Sequence, residues 1–253
     1  MVRAFPALNP AVLRPTMRSR TCVFAIVRPG ILAVTPTSGL IEAVPDTVSL
    51  HALKKKDPSF TTLSDFFLRH FGRGDPNSRR LRAAKKNFVR SLAAYSIVCY
   101  IMQLKDRHNG NILLDADGHV VHIDFGFLLG ASPGGNMGFE AAPFKLTAEF
   151  VEVMGGTNSR LFGEYRALCA QAYLAARRHS DKIMLLVRTW HSCNRDLPCF
   201  ADIDVMTKLQ DRFNLGQSSR KCVAIVDDLI AQSLDNWRTR WYDSYQRCCV
   251  GVL

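Results

Sequence analysis

No apolar run in this 253-residue sequence is long enough to cross a bilayer. The longest, Leu92 to Leu104, is 13 residues and is interrupted by Ser96 and Gln103. A spanning helix needs about 20, so the run is expected to be a buried helix. Eight cysteines are present, but none form C-x-x-C or a Cys/His metal-ligand spacing. That argues against a disulfide framework or a zinc module and fits unpaired core thiols in a reducing compartment. Acid is absent from residues 1–41, where Arg3, Arg14, Arg18, Arg20 and Arg28 fall. An acid-free, Arg-bearing start suits an organelle transit segment or a start not native to the domain that follows. Internal repeats and low-complexity tracts are also lacking.

What is present is a chain that is 47% hydrophobic, enough for a sizeable core in one domain or one two-lobed unit. Lys and Arg number 33 against 22 Asp and Glu, a net charge of +11. The surplus suits an anionic partner: nucleic acid, nucleotide or an acidic membrane face. Charge alone chooses none of them.

The most informative stretch is K-D-R-H-N-G-N-I-L-L-D-A-D-G-H-V-V-H-I-D-F-G, Lys105 to Gly126. Asp106 and Asn111 stand five apart, the spacing of Asp and Asn in a kinase catalytic loop. Ile112–Leu114 and His119–Ile123 are β-prone, and Asp115-Ala116-Asp117-Gly118 between them is turn chemistry. The expected hairpin delivers Asp124-Phe125-Gly126, a D-F-G whose Asp would hold Mg²⁺ beside nucleotide phosphates. A Ca²⁺ loop starting at Asp115 is excluded, because its sixth and twelfth positions are not Gly and Glu.

The order Asp-Arg-His, followed by H-I-D-F-G, resembles the phosphatidylinositol 3/4-kinase family. The later S-P-G-G-N-M-G-F-E-A-A-P-F-K-L-T and F-V-E-V-M-G-G resemble its phosphatidylinositol 4-kinase beta group. The resemblance runs from about Val27 to the C-terminus. It implies an α+β, protein-kinase-like fold. Residues 1–26 would be a disordered extension, residues 27–46 a remnant of the N-lobe and hinge, and residues 47–253 a mostly helical C-lobe. It also implies Mg²⁺-dependent transfer of the ATP γ-phosphate to the 4-hydroxyl of phosphatidylinositol, with Mn²⁺ as an alternative ion. The protein would be cytoplasmic and peripheral on intracellular membranes, the Golgi by resemblance, with no nucleic-acid partner; regulatory partners are not legible.

Residue roles follow from the same resemblance. Asp124 and Asn111 would hold the metal, and hard oxygen donors suit Mg²⁺. His108 or Asp106 would accept or steer the inositol proton; the near-neutral pKa of His favours His108. Arg107 would tie down the loops. Glu42 and Val44 would lie in the hinge against adenine, with Ile123 beneath the ring. Phe125, Gly126 and Lys145 would face the lipid headgroup. Phe125 to Phe144 contains no Lys or Arg, so the substrate is expected to be phosphatidylinositol itself, because extra ring phosphates call for cations. Arg177 and Arg178 are the alternative headgroup site. His119 and His122 are ordinary hydrogen-bonded histidines.

Strands are expected at Ile31–Val34 and Leu40–Val44. A helix follows Pro58, opened by Thr62 and carrying Leu63, Phe66, Phe67, His70 and Phe71. Gly72–Lys86 reads as a basic loop and Asn87–Leu104 as a core helix. A Gly/Pro-containing loop then spans 127–144. Helices are expected from Thr147 to Gly155-Gly156 and over 159–178, 181–191, 203–213 and 219–252, with a break at Leu197–Phe200. From Leu234 onward an aromatic stripe with flanking arginines, including Trp237, Arg238 and Trp241, is a candidate membrane interface or an ordinary packing face.

A strand-borne Lys and a loop over the phosphates complete the nucleotide site of a kinase. Nothing before the hinge matches them, and Lys54–Lys56 follow it. A non-catalytic remnant binding a membrane or partner is therefore the second functional reading. The 253-residue chain by itself is expected to bind ATP weakly and to show no robust lipid phosphorylation, since positioning supplies most of this catalysis. Labelled ATP and phosphatidylinositol vesicles test this; sustained turnover that Asp124→Ala removes would contradict it.

Overall fold

The computed structural model describes residues 26, 30–35, 38–132 and 142–234. Its axis is helix α3, Arg79–Met102, whose 24 residues give it a length of roughly 36 Å. Leu81, Ala84, Phe88, Leu92 and others at steps of three and four are buried, which fixes one face to the core. The expected basic loop at 72–86 is thus mostly wrong. Gly72 closes helix α2, Leu63–Gly72, and only residues 73–78 link it to α3. Leu81 and Ala84 turn inward while the intervening basic side chains face water; the charge density hid an amphipathic turn.

Helix α2 opens as expected, with Thr62 Oγ1 accepting from the Asp65 amide at 3.1 Å. Its Phe67 ring meets Phe88 of α3 edge to face at 5.4 Å. On another side α3 packs on helix α5, Arg160–Arg178, where Ser96 Oγ and Tyr165 OH share a buried hydrogen bond of 2.9 Å.

Among the described residues the β structure falls into two sheets. Strands β1 (Ile31–Thr35) and β2 (Ser38–Ile41) form an antiparallel ribbon, Ile31 opposite Ile41, on which Ile31, Leu32, Val34, Leu40 and Ile41 are exposed. β2 stops three residues short of the expected Val44. Pro45 lacks an N–H and restricts Val44, and the chain turns at Asp46 with φ 51°. Strand β3, Thr47–Ser49, was not foreseen; it pairs with β4, Ile112–Asp115, which pairs with β5, Val120–His122, all antiparallel. Ser49 then caps helix α1, Leu50–Lys56, also unforeseen.

The hairpin of β4 and β5 is braced on α3. Asn87 Nδ2 donates to the Asp117 carbonyl at 3.0 Å, and Ser91 Oγ accepts from the Val120 amide at 2.8 Å. At the tip Gly118 has φ 86°, and a Cβ there would sit 2.9 Å from the Ala84 carbonyl oxygen. Both the left-handed backbone and the close approach require glycine.

Helices α4 (Ala148–Met154), α6 (Ser180–Cys193), α7 (Val205–Asp211) and α8 (Ser219–Ser233) complete the described chain. The Thr147 cap and the Gly155 stop match expectation, Gly155 at φ 92°. The expected continuous helix 219–252 instead ends at Ser233: Leu234 is extended and bridges Leu146. Trp237, Arg238 and Trp241, and most of the stripe, lie outside the described residues.

Gly118→Ala is expected to destabilise the fold by about 2 kcal/mol from strain and overpacking, lowering Tm by several degrees. Thermal unfolding checks this; an unchanged Tm would show that the hairpin tip is not held against α3.

Candidate active site

Helix α3 stops at Gln103, a left-handed cap whose N–H reaches the Cys99 and Tyr100 carbonyls. Arg212 Nε donates to the Ile101 carbonyl at 2.7 Å, closing the same helix end from more than a hundred residues away. The loop that follows runs alongside the segment after D-F-G. The Lys105 amide donates to the Phe127 carbonyl at 3.0 Å and the Leu129 amide to the Met102 carbonyl at 2.7 Å.

Arg107 joins the two loops. Its side chain is only 4% exposed. Nε donates to the Lys105 carbonyl at 2.9 Å, Nη1 to the Ile123 carbonyl at 2.7 Å, and Nη2 to the Asp124 carbonyl. The rigid fork of a guanidinium suits three such acceptors, which an ammonium could not span. The Phe125 ring, itself exposed, lies 5.7 Å from the guanidinium carbon. Asp106 and Asp124 both adopt left-handed backbone, φ 63° and 58°. Such conformations cost on the order of 1 kcal/mol each for non-glycine residues, and the hydrogen bonds around Arg107 hold them in place.

Asn111 is buried, and its Nδ2 donates to the Asp106 carbonyl at 2.9 Å. With the nitrogen so used, Oδ1 is the atom this amide can offer a cation. The Ile123 amide donates to the Asn111 carbonyl at 3.1 Å, so strand pairing sets the D-F-G against the loop. Asp124 is exposed, and its Oδ1 accepts from the Gly126 amide at 3.2 Å. Asp124 and Asn111 carry hard oxygen donors of the kind Mg²⁺ accepts. No cluster of three or more His, Cys, Asp or Glu occurs among the described residues.

His108 Nδ1 accepts from the Gly110 amide at 3.0 Å, so a neutral ring carries its proton on Nε2. That nitrogen lies 3.8 Å from Asp106 Oδ1. Burial pushes the His108 pKa below its ordinary value; Asp106 and Asp124 oppose the shift, and Lys145 and Arg107 add to it. Lys145 is itself buried, with Nζ donating to Asn109 Oδ1 at 3.1 Å. Asn109 was not singled out from sequence, because an uncharged residue inside a loop carries no periodic signal. Nor was the bed beneath the hairpin, where His122 stacks on Tyr95 with centroids 4.4 Å apart.

The structure therefore gathers Asp106, Arg107, His108, Asn111, Ile123, Asp124 and Lys145 around two adjoining loops. Glu42 and Val44, the residues expected at a hinge, have contacts of their own. Glu42 Oε2 accepts from the Gly30 amide at 2.8 Å. Val44 borders a cleft of about 420 Å³ shared with Phe66, Phe71, Leu114 and Ala116. Arg177 is spent on the carbonyls of Phe213, Asn214, Leu215 and Gln217, so it closes the α7–α8 connection rather than waiting for a headgroup.

Lys145→Met keeps the side-chain length and removes the charge that helps depress His108. The His108 titration should therefore move upward, followed by NMR of the imidazole signals. An unmoved titration in a folded variant would place the ammonium too far away to act.

A family model described as phosphatidylinositol 3- and 4-kinase matches residues 11–200. The chain is 48% identical over 223 residues to a phosphatidylinositol 4-kinase of Dictyostelium discoideum, covering 88% of this chain and 19% of that protein. Identity to phosphatidylinositol 4-kinase beta 1 of Arabidopsis thaliana is 45% over 228 residues, 88% of this chain and 20% of the relative. For phosphatidylinositol 4-kinase beta of Rattus norvegicus it is 42% over 223 residues, 88% and 27%. The chain spans about a fifth to a quarter of the length of these relatives. With the family model matched over most of its length and the two loops built as described, the chain belongs to the phosphatidylinositol 3- and 4-kinase family.

Proposed function

We propose that this chain is the catalytic part of a phosphatidylinositol 4-kinase, which transfers the γ-phosphate of ATP to the 4-hydroxyl of phosphatidylinositol at a membrane surface. The observation that carries the reading is the Arg107 clamp, which makes one unit of the D-R-H-N-G-N loop and the D-F-G. Phosphoryl transfer asks a protein mainly for positioning and charge. Transfer to the 4-hydroxyl rests on the names of the relatives.

Asp124 and Asn111 Oδ1 would hold Mg²⁺, with Mn²⁺ as the alternative. When bound, the ion neutralises charge on the phosphate oxygens. In the neutral His108 ring the lone pair is at Nδ1, already used by the Gly110 amide. Nε2 cannot take the inositol proton without breaking that bond. The geometry therefore favours Asp106 as proton acceptor, with His108 donating from Nε2 to orient it or the hydroxyl. Arg107 and Lys145 hold the loop rather than touch the reacting atoms.

The charge argument for substrate gains support from burial. Residues 125–144 contain no Lys or Arg, and Lys145 is turned to Asn109. Few cations remain there to meet additional ring phosphates. No helix among the described residues is long and apolar enough to cross a membrane. Peripheral attachment in the cytoplasm, at the Golgi, is proposed on family likeness alone. The exposed β1–β2 ribbon would then belong to the N-lobe sheet, with the hinge at 42–46.

The test uses a protein that carries this domain together with a nucleotide-covering lobe. Asp124→Ala, Asn111→Ala and Asp106→Asn should each lower turnover by about a thousandfold or more, while His108→Gln should lower it about ten- to a hundredfold. Product analysis on mixed vesicles should give the 4-phosphate of phosphatidylinositol and little reaction with phosphatidylinositol 4,5-bisphosphate. Near-normal rates for Asp124→Ala, or a 3-phosphate product, would overturn the reading.

A further inference from the structure

We propose that the outer face of α3, through Arg79, Arg82, Lys86 and Arg90, is a docking surface for an acidic polypeptide segment. The four stand at steps of three, four and four, which puts them within an arc of about 80° on the helix. All four are exposed, on the side opposite the buried Leu81, Phe88 and Leu92. The helix contains no Asp or Glu from Arg79 to Met102.

The row is electrostatically uncompensated. Among the described residues none of the four forms a salt bridge, and the nearest thing to one is Arg82 Nη1 donating to the Asn77 carbonyl at 2.6 Å. Some cations elsewhere are paired, Lys54 with Glu149, Arg69 with Asp65 and Asp57, Arg166 with Asp227, and Lys208 with Asp202; what distinguishes this row is that its cations stand in line on one helix that carries no acid. Arg82 with Lys86, and Lys86 with Arg90, are like-charge pairs one turn apart, an arrangement that destabilises a helix. Arg79, Arg80 and Arg82 also crowd the first turn, where the helix dipole disfavours cations; that turn has no acidic residue, and Ser78 makes no side-chain cap. Packing does not require these charges and the helix itself opposes them. A bound polyanion would offset both costs.

The place and the surroundings select the kind of polyanion. Met102, where the catalytic loop begins, lies about 18 Å along the axis from Arg90 and about 35 Å from Arg79. The row is therefore separate from the proposed site of phosphoryl transfer. A membrane-binding helix combines cations with apolar anchors, yet no large apolar side chain from residue 50 to 102 is exposed. Single-stranded nucleic acid is gripped by stacking on aromatic rings, and no Phe, Tyr or Trp in that span is exposed either. A straight row of cations without anchors matches carboxylates carried on one polypeptide segment.

The test uses the whole 253-residue chain and a fluorescent 14-residue peptide carrying six Glu, read by anisotropy at low and at physiological salt. The triple variant Arg82→Gln, Lys86→Gln, Arg90→Gln should weaken binding about tenfold or more. A control triple of equal charge change on another face, Lys182→Gln, Arg188→Gln, Arg195→Gln, should leave binding within about twofold. Without peptide, the α3 triple variant should melt at the same temperature or higher, because repulsion is relieved. A lower Tm would mark the cations as structural and overturn the proposal. It would also fall if the two triples weakened the peptide equally. Phosphatidylserine vesicles or a 12-nucleotide RNA that bound more tightly than the peptide, with loss only in the α3 triple, would assign the row to a membrane or to RNA instead.

Discussion

The Arg107 guanidinium, buried between two loops and spread over the carbonyls of Lys105, Ile123 and Asp124, is the contact on which the candidate site depends. The loop after α3 and the D-F-G are separated by a hairpin and would otherwise be held together only by a few backbone hydrogen bonds, among them Lys105 to Phe127 and Leu129 to Met102. Both carry an aspartate in left-handed backbone, a conformation that persists only where neighbours over-determine it. One planar group with several fixed donors meets that need for both loops at once. Burial lowers the His108 pKa, and the Lys145 and Arg107 cations add to that shift against the opposing Asp106 and Asp124.

The clamp is rigid because of what lies behind it. Helix α3 ends where the loop begins, and its middle holds the hairpin through Asn87, Ser91 and the glycine contact at Ala84. Tyr95, Cys99 and His122 fill the space between helix and hairpin. Burial holds His122 well below the ordinary His pKa, which keeps an uncharged ring beneath the D-F-G. A buried neutral histidine lends stability that declines as pH falls below about 6.5, where the unfolded chain takes up the proton. Elements distant in sequence close the arrangement: Arg212 on the end of α3, and Lys145 on Asn109.

Much of this was legible in the sequence because its signals are local. Asp106, Asn111 and Asp124 sit in a loop–hairpin–loop whose turn residues and spacing announce themselves, and Thr62, Thr147 and Gly155 mark helix ends by backbone chemistry alone. What was missed depends on tertiary context. Strand β3 is three residues long and exists by pairing with β4. Charge masked the first two turns of α3, and Pro45 cut β2 short. Lys145 read as a free cation at the end of an uncharged loop, yet its ammonium is buried against Asn109; nothing in the order of residues shows which way a lysine turns. The stop at Ser233 has no glycine or proline to mark it.

Hydrogen exchange across residues 103–128, compared between the native chain and Arg107→Ala, tests the central claim most directly. If Arg107 makes one unit of the two loops, amides of both the Lys105–Asn111 loop and the Ile123–Leu129 segment will lose protection together, while α5 and α8 keep theirs. Loss confined to one loop, or no loss in either, would contradict the account.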